Sequence, residues 1–257
     1  MKHPRLKWFC VDSKQINSQR MYSRFVVSRL KHGQAQTIGI TIRRALLEEV
    51  KVTRISHARF ENLNFAHQYV TILGIDESPN EILRNLEKIV LRSSIDCPLE
   101  ASIHIHGPKR VTAADIDINS PYITIVEPTQ YIANIYSPIN FSISLKIERS
   151  RGYFPIQDEN NPQKDSTYLL DAVLMPVVNV NFNIINPYKY EGVVERPETL
   201  ILEIWTNGGI SPKKALLEAC ENLIELFSIF LYPDEKDILL EEIEELRVIK
   251  IGRILNA

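Results

Sequence analysis

Residues 37–50 constrain this chain more than any other stretch, because they predict a helix with two apolar sides instead of one. At 100° per residue the apolar side chains separate into two groups, Ile38, Ile42, Ala45 and Leu46 on one side and Ile40, Leu47 and Val50 on the other. A helix on the surface of a monomer needs only one apolar side, which packs on its own domain. The second side therefore predicts a helix that also packs on a second protein chain.

Arg44 borders these apolar sides, and its role has two interpretations. It lies one turn before Leu47, and Glu48 follows it at the i+4 position. An ion pair between Arg44 and Glu48 within the helix would contribute only about 0.3–0.5 kcal/mol. A guanidinium on a partly apolar face can instead form paired hydrogen bonds with carboxylates or backbone oxygens of a partner chain.

The composition is that of an ordinary soluble globular protein and argues against several other classes. Of the 257 residues 44% are hydrophobic and 24% are charged, which suits one large or two modest domains. No apolar run reaches the roughly 18 residues that cross a bilayer, and the first residues resemble neither a secretory signal nor a transit peptide. The three cysteines are far apart, which argues against a disulfide framework. We expect no membrane association.

The net charge of −2 hides an uneven distribution along the chain. Residues 1–60 hold 13 basic and 3 acidic residues, a net charge of +10, and the remainder carries −12. A basic segment can bind nucleic acid, but here the basic residues stand singly among apolar ones, without a dense cluster. A protein-facing or solvated surface is the favoured interpretation, and direct DNA binding is the alternative.

Apolar periodicity and turn residues predict a mixed α+β chain. Ser78-Pro79-Asn80-Glu81 has the pattern of a capped helix start, and helical spacing continues to about Arg92. Ser211-Pro212 begins another predicted helix, which runs to about Tyr232. Strand patterns cover residues 8–30, 52–75, 101–105, 141–148, 177–185 and 199–205, and the polar residues 157–167 predict an exposed loop.

The second half of the last predicted helix is apolar on nearly all sides. Its apolar residues are Leu223, Ile224, Leu226, Phe227, Ile229, Phe230 and Leu231. A helix of this kind lies either in the centre of a core or in an oligomer interface. Because a monomer would leave this excess apolar surface in water, the pattern predicts a homodimer.

Residues that could carry chemistry are few and isolated. His104 and His106 share one strand face without a third ligand nearby, so two exposed histidines are favoured over a metal site. Asp115 and Asp117 form a D-x-D pair in a predicted turn. No phosphate-binding loop, nucleophile elbow or dinucleotide fingerprint occurs in the sequence. We predict no catalytic, metal-binding or cofactor-binding residue and no cofactor in this chain.

Five ordered motifs carry a resemblance to a known family. They are Gly33-Gln34-Ala35-Gln36-Thr37-Ile38-Gly39 with Arg43-Arg44-Ala45-Leu46-Leu47, Gly107-Pro108 with Val111-Thr112-Ala113-Ala114-Asp115-Ile116, Arg149-Ser150-Arg151-Gly152-Tyr153, Asp171-Ala172-Val173-Leu174-Met175-Pro176-Val177, and Glu203-Ile204-Trp205-Thr206-Asn207-Gly208. Together they resemble the α subunit of bacterial-type RNA polymerase, and most closely its plastid-encoded branch. Two positions depart from the family pattern: Ile40 replaces an asparagine, and Lys88 is displaced by one position, which leaves its contact with a large subunit open.

The resemblance implies an α+β fold with two domains. The dimerisation domain is discontinuous, an antiparallel sheet with helices built from residues 1–52 and 180–232. A mostly-β domain of residues 53–179 is inserted in it, and residues 233–257 form a C-terminal tail. The family usually continues into a small helical domain that binds upstream DNA, and the tail is too short for that domain, so we expect little affinity of this chain for promoter DNA.

The same resemblance implies a function in transcription. The chain is expected to be a non-catalytic subunit of DNA-directed RNA polymerase, a nucleotidyltransferase, in the plastid (chloroplast). It would form a homodimer on which the β and β′ subunits assemble, and it would meet DNA only through the assembled polymerase. The residues implied in docking the β subunit are Arg44, Leu47, Leu174, Met175, Pro176 and Val177, and those expected at the dimer interface are Ile38, Ile42, Leu46, Leu223, Phe227 and Phe230. A stand-alone DNA-binding transcription factor is the alternative.

Overall fold

The computed structural model describes residues 7–61, 69–93, 95, 98–151, 167–170, 175–185 and 197–231, and within these ranges strands outnumber helices. The helices within these ranges are α1 (Gln34–Glu48), α2 (Pro79–Glu87) and α3 (Pro212–Leu231). The strands are β1 (Lys7–Asn17), β2 (Arg20–Leu30), β3 (Val52–Phe60), β4 (Leu91–Ser93), β5 (Leu99–His106), β6 (Lys109–Thr112), β7 (Asp117–Ile118), β8 (Ile123–Ile125), β9 (Tyr131–Ile135), β10 (Asn140–Ser150), β11 (Thr167–Leu169), β12 (Val177–Ile185) and β13 (Glu198–Thr206). A mixed α+β fold is therefore confirmed. The predicted loop at 157–167 lies almost entirely outside the described residues.

A four-stranded antiparallel sheet draws its strands from both ends of the sequence. Its strand order is β1-β2-β13-β12. Helix α1 packs on β12 and β13, and Gly39 allows the close approach, since a Cβ on this residue would lie 2.6 Å from the Phe182 ring. A small apolar cluster of Leu30, Ala35 and Leu200 fills the space between helix and sheet.

A five-stranded antiparallel sheet occupies the middle of the chain, with the order β11-β3-β10-β5-β7. The period-two pattern of β10 predicts one apolar face, and Phe141, Ile143 and Leu145 are indeed buried on it. Phe141 packs edge-on against Phe60 at 6.5 Å between ring centroids. The apolar cluster of this sheet contains only residues from 55 to 170, so this region has a core of its own.

Helix α2 begins as predicted and ends earlier than predicted. The Ser78 hydroxyl accepts a hydrogen bond from the Glu81 backbone, and the Glu81 carboxylate accepts one from the Ser78 backbone at 2.8 Å. The predicted end near Arg92 is wrong, because the helix stops at Glu87 and residues 91–93 form β4. The apolar residues Ile89 and Val90 continue the helical spacing in sequence, but the next residue, Leu91, begins β4 and pairs with Ile125 of β8.

The chain divides after Cys220 into two compact units, so the boundary falls inside α3. Residues 212–220 belong to the first unit with both sheets, and of the second unit residues 221–231 are described. Among the described residues, no helix is both long and apolar enough to cross a membrane.

Candidate functional site

The start of α1 is fixed by a side chain from a distant strand. Gly33 at the N-cap has a left-handed backbone with φ of 84° and no side chain to cap the helix. The buried carboxylate of Glu198 on β13 accepts hydrogen bonds from the backbone N–H of Gly33 at 3.0 Å and of Ala35 at 3.2 Å. The Gly33 hydrogen bond, with those from Ala35 and His32, holds the pKa of Glu198 below its usual value. The carboxylate thus replaces the missing N-cap side chain.

The first apolar side of α1 faces the interior of its own chain. Leu46 is only 1% exposed, and Ile38 packs against the small cluster beneath the helix. Ile42 is half-buried. Leu46, expected at the dimer interface, therefore offers no surface to a second chain, and Ile38 offers only a part of its side chain.

The outer side of α1 presents a mixed surface. Ile40 is 42% exposed, Leu47 is half-buried, and Arg43 and Arg44 are exposed. Within the described part of the chain the Arg44 guanidinium forms no hydrogen bond or ion pair, so the intrahelical pair with Glu48 is not formed. Arg44 is thus available to a partner.

A groove of about 530 Å³ in the first unit brings together residues that are distant in sequence. Met175 and Val177, expected in docking, line it together with Arg20 and Lys88. We call it the basic groove, because Arg20 and Lys88 line it and none of its lining residues within the described ranges is acidic. Pro176 lies between the two docking residues and is buried. Leu174 lies outside the described residues, and Arg44 and Leu47 are not among the lining residues.

The sequence did not point to Arg20 as part of this groove, and it left Lys88 open. Lys88 is the C-cap residue of α2. Asn85, three residues earlier, donates a hydrogen bond from its side chain to the carbonyl of Ile132 at 3.0 Å, which fixes the rotation of the helix. The displaced lysine therefore still reaches a surface that also contains Met175.

The second unit is described through the helical residues 221–231, and most of the apolar side chains of residues 221–230 are exposed. Phe230 is 78% exposed, Ile224 70%, Ile229 67% and Phe227 52%. Leu223 is half-buried. Of the residues expected at the dimer interface, Phe227 and Phe230 therefore have the surface that an interface requires.

The isolated polar residues have local structural roles. His104 and His106 bond through Nδ1 to Ser142 and Asn140 of the neighbouring strand, at 3.2 Å and 2.7 Å. Asp115 is partly buried, which raises its pKa, but the Lys109 ammonium and the Thr112 backbone N–H bond to its carboxylate and lower the pKa overall. Over the described ranges no group of three or more possible metal ligands is present.

Comparison with known proteins identifies the family of this chain. Residues 51–175 match a family model described as the RNA polymerase Rpb3/RpoA insert domain, and this range contains the five-stranded sheet. A DNA-directed RNA polymerase subunit alpha from Ceratophyllum demersum is 48% identical over 251 residues, covering 98% of this chain and 72% of the relative. The chain belongs to the α-subunit family of DNA-directed RNA polymerases.

Other relatives in this α-subunit family agree. Proteins with the same name from Daucus carota and Platanus occidentalis are 48% and 50% identical, covering 91% and 92% of this chain. The chain spans 64% and 68% of their lengths. These relatives are plant proteins named as polymerase subunits, so the alternative of a stand-alone DNA-binding transcription factor is not supported.

Proposed function

We propose that this chain is the assembly subunit of a plastid DNA-directed RNA polymerase, forming a homodimer on which the catalytic β and β′ subunits are built. The observation that carries the proposal is 48% identity over 98% of the chain with a named α subunit. In this role residues 1–52 and 180–232 form the dimerisation domain, residues 53–179 form the inserted domain, and the chain supplies no catalytic residue or cofactor. DNA is contacted only through the assembled enzyme.

A second copy of the chain is the occupant that we propose for the apolar surface of residues 221–230. Phe227 and Phe230 expose large aromatic surfaces, whose burial stabilises an interface by about 1.5–3 kcal/mol per side chain. In a twofold dimer the same patch on both copies contacts itself, which suits a helix that is apolar on several sides. Ile42, half-buried on α1 in the first unit, is a separate candidate for a contact with the second copy.

Two surfaces are proposed for the β subunit. Arg44 is exposed without a partner in its own described surroundings, beside the half-buried Leu47, and it can bind a carboxylate of β in bidentate geometry. The basic groove combines Arg20 and Lys88 with the apolar edges of the half-buried Met175 and the exposed Val178, whereas Val177 is only 2% exposed and offers little surface. Because its charge is positive and its floor is partly apolar, it suits a segment of β that carries both acidic and apolar residues.

Reconstitution tests this function directly. The full chain is co-expressed with plastid β and β′, and the complex is purified through a tag on the chain. The expected result is a complex with all three subunits that incorporates ribonucleotides on a DNA template, while β and β′ without this chain remain unassembled. Assembly of an active enzyme without the chain would overturn the proposal.

The alternative function makes a different prediction for the free chain. A gel-shift titration at physiological salt measures its binding to promoter DNA. We expect at most weak and salt-sensitive binding. Nanomolar, sequence-selective binding by the chain alone would support a DNA-binding factor instead.

A further inference from the structure

The Arg-x-Arg motif at the end of β10 joins two parts of the first unit. Strand β10 is the middle strand of the five-stranded sheet, and Arg149 lies near its end. Its Nη2 lies 2.9 Å from Oε2 of Glu218, on the first half of α3. Both side chains are only 13% exposed, so this ion pair is largely withdrawn from water.

Glu218 also binds the segment that connects α1 to β3. Its Oε1 accepts a hydrogen bond from the backbone N–H of Lys51 at 2.9 Å, while its Oε2 bonds to Arg149. One carboxylate therefore ties together three segments: α3, the end of β10 and the exit from α1. A displacement of α3 or of the end of β10 would separate the two shielded charges, and a displacement of the exit from α1 would remove the Lys51 backbone donor from the Glu218 carboxylate.

Arg151 makes a second link to α1. Its Nη1 lies 2.8 Å from Oε2 of Glu49, the C-cap residue of α1. These side chains are 49% and 38% exposed, so water screens this pair much more than the first. The two arginines thus reach both helices, and Arg149 makes the more sheltered contact.

Another polar contact links the middle of the chain to the turn before α3. Arg92 on β4 donates two hydrogen bonds to the carbonyl of Gly208, at 2.7 Å and 3.2 Å. Gly208 has φ of 87°, and a Cβ there would lie 2.6 Å from the carbonyl of Ser18 in the β1–β2 turn. The turn before α3 therefore packs closely against both β4 and the β1–β2 turn.

We propose that Arg149 and Glu218 are positioning residues for polymerase assembly, with Arg151 and Glu49 in a supporting role. They hold the five-stranded sheet at one orientation on α1 and α3, so that Arg44 on α1 and the basic groove engage the same β subunit. A shielded ion pair suits this task, because its net stabilisation is small whereas any geometry that separates the charges is strongly penalised. The inference rests on the proposed function for its partner.

Orientation and assembly are measured separately to test this inference. Spin labels are placed at Glu100→Cys on β5 and Lys213→Cys on α3, in a full-length background with Cys10, Cys97 and Cys220 replaced by serine. Pulsed electron–electron double resonance gives the distribution of distances between the two labels. A binding titration gives the affinity of the chain for β. The variants are Arg149→Ala, Arg149→Lys and the charge exchange Arg149→Glu with Glu218→Arg.

We expect Arg149→Ala to broaden the distance distribution and to weaken β capture at least tenfold while dimerisation is unchanged. Arg149→Lys and the charge exchange should recover both properties in part. Arg24→Ala is the matched control, because its 2.8 Å pair with Glu203 lies within the four-stranded sheet, and it should change neither readout. Circular dichroism checks that each variant folds. If Arg149→Ala does not fold, the distance distributions and β affinities of Arg149→Lys and of the charge exchange test the inference instead.

An unchanged distance distribution in Arg149→Ala would overturn the inference, and so would unchanged β capture by that variant. Failure of the unmodified chain to capture β would instead contradict the proposed function. The distance measurement would still decide the role of Arg149 in orientation.

Discussion

The five-stranded sheet and the end of α3 differ in the exposure of their apolar side chains: the sheet buries them within one chain, and the helix end exposes them. Phe60, Phe141 and Ile143 of the sheet are at most 2% exposed and belong to a core drawn from residues 55–170. In the helical residues 221–231, by contrast, Phe230 is 78% exposed and Ile224 70%. The first region meets its own packing needs within one chain, and the second does not.

The charged residues show the same contrast. Arg149 at the end of β10 pairs with Glu218 at 2.9 Å and is largely buried. Arg44 on α1 is exposed, and no ion pair involves it within the described ranges. The difference teaches that Arg44 is exposed for direct contact with a partner chain, whereas Arg149 acts by contacts within its own chain, so substitution of Arg44 should change assembly without changing stability.

The largest expected effect is on the core of the five-stranded sheet. Phe141→Ala removes a fully buried ring and leaves a cavity beside Phe60, so it should lower the free energy of unfolding by about 3–5 kcal/mol. Phe230→Ala, at low concentration of the chain, should change it by less than about 0.5 kcal/mol. Chemical denaturation measures both, and equal losses would erase the contrast between the two regions.

The next effect concerns self-association through the end of α3. Phe227→Ala combined with Phe230→Ala removes both rings from each copy, so it should weaken the dimer by at least about 3 kcal/mol, more than a hundredfold in Kd, while the fold is retained. Sedimentation equilibrium gives the dissociation constant. Leu73→Ala is the control, because Leu73 is 89% exposed in the first unit and should have no effect. A dimer that resists the double substitution would place the interface elsewhere.

Arg44 should affect capture of β without affecting dimerisation. Arg44→Ala removes an interface guanidinium, which typically costs about 2 kcal/mol, or roughly thirtyfold in affinity. Arg43→Ala, one position away on the same helix and also exposed, should stay within about threefold. Binding titrations with β measure both. Equal affinities for the two variants would reduce Arg44 to a solvated helix charge.

The smallest effect is the pH dependence of the α1 cap. Hydrogen bonds from Gly33, Ala35 and His32 lower the pKa of Glu198, so the folded state binds its proton more weakly than the unfolded state does. The cap therefore stabilises the fold above about pH 4.3, the ordinary glutamate value, and its contribution disappears as the pH falls through the lower folded pKa. Denaturation midpoints from pH 7 to pH 3 should show the difference from Glu198→Gln shrinking with acid. A difference that stays constant with pH would refute this role of the ionised carboxylate.

Local signals in the sequence were sufficient for most of the fold. The strands β5, β10, β12 and β13 follow their period-two patterns, and the capping pattern marks the start of α2. The predicted end of α2 near Arg92 is wrong because helical spacing continues through Ile89 and Val90, while pairing of residues 91–93 with β8, a long-range contact, determines the actual structure. Local periodicity cannot show whether residues after Glu87 continue the helix or pair with a strand that is distant in sequence.

The candidate site was less accessible to sequence reasoning, for the same reason. The side chain that caps α1 belongs to Glu198, which is 165 residues away from Gly33. No local sequence pattern predicts this contact. The helical wheel predicts two apolar sides for residues 37–50, but Leu46 of the first side and Val50 of the second are both buried, and only the tertiary fold decides which residues face inward. Arg20 joins Lys88 and Met175 through the tertiary fold alone.

The central claim is that this chain uses separate surfaces for assembly: residues 221–230 contact its own copy, and Arg44 with the basic groove contacts β. Native mass spectrometry of the full chain co-expressed with plastid β tests it most directly. The account predicts a complex with two copies of the chain bound to β, and with Arg44→Ala a dimer of the chain with β largely absent. A complex of β with a single copy of the chain, or loss of the dimer together with β in Arg44→Ala, would contradict it.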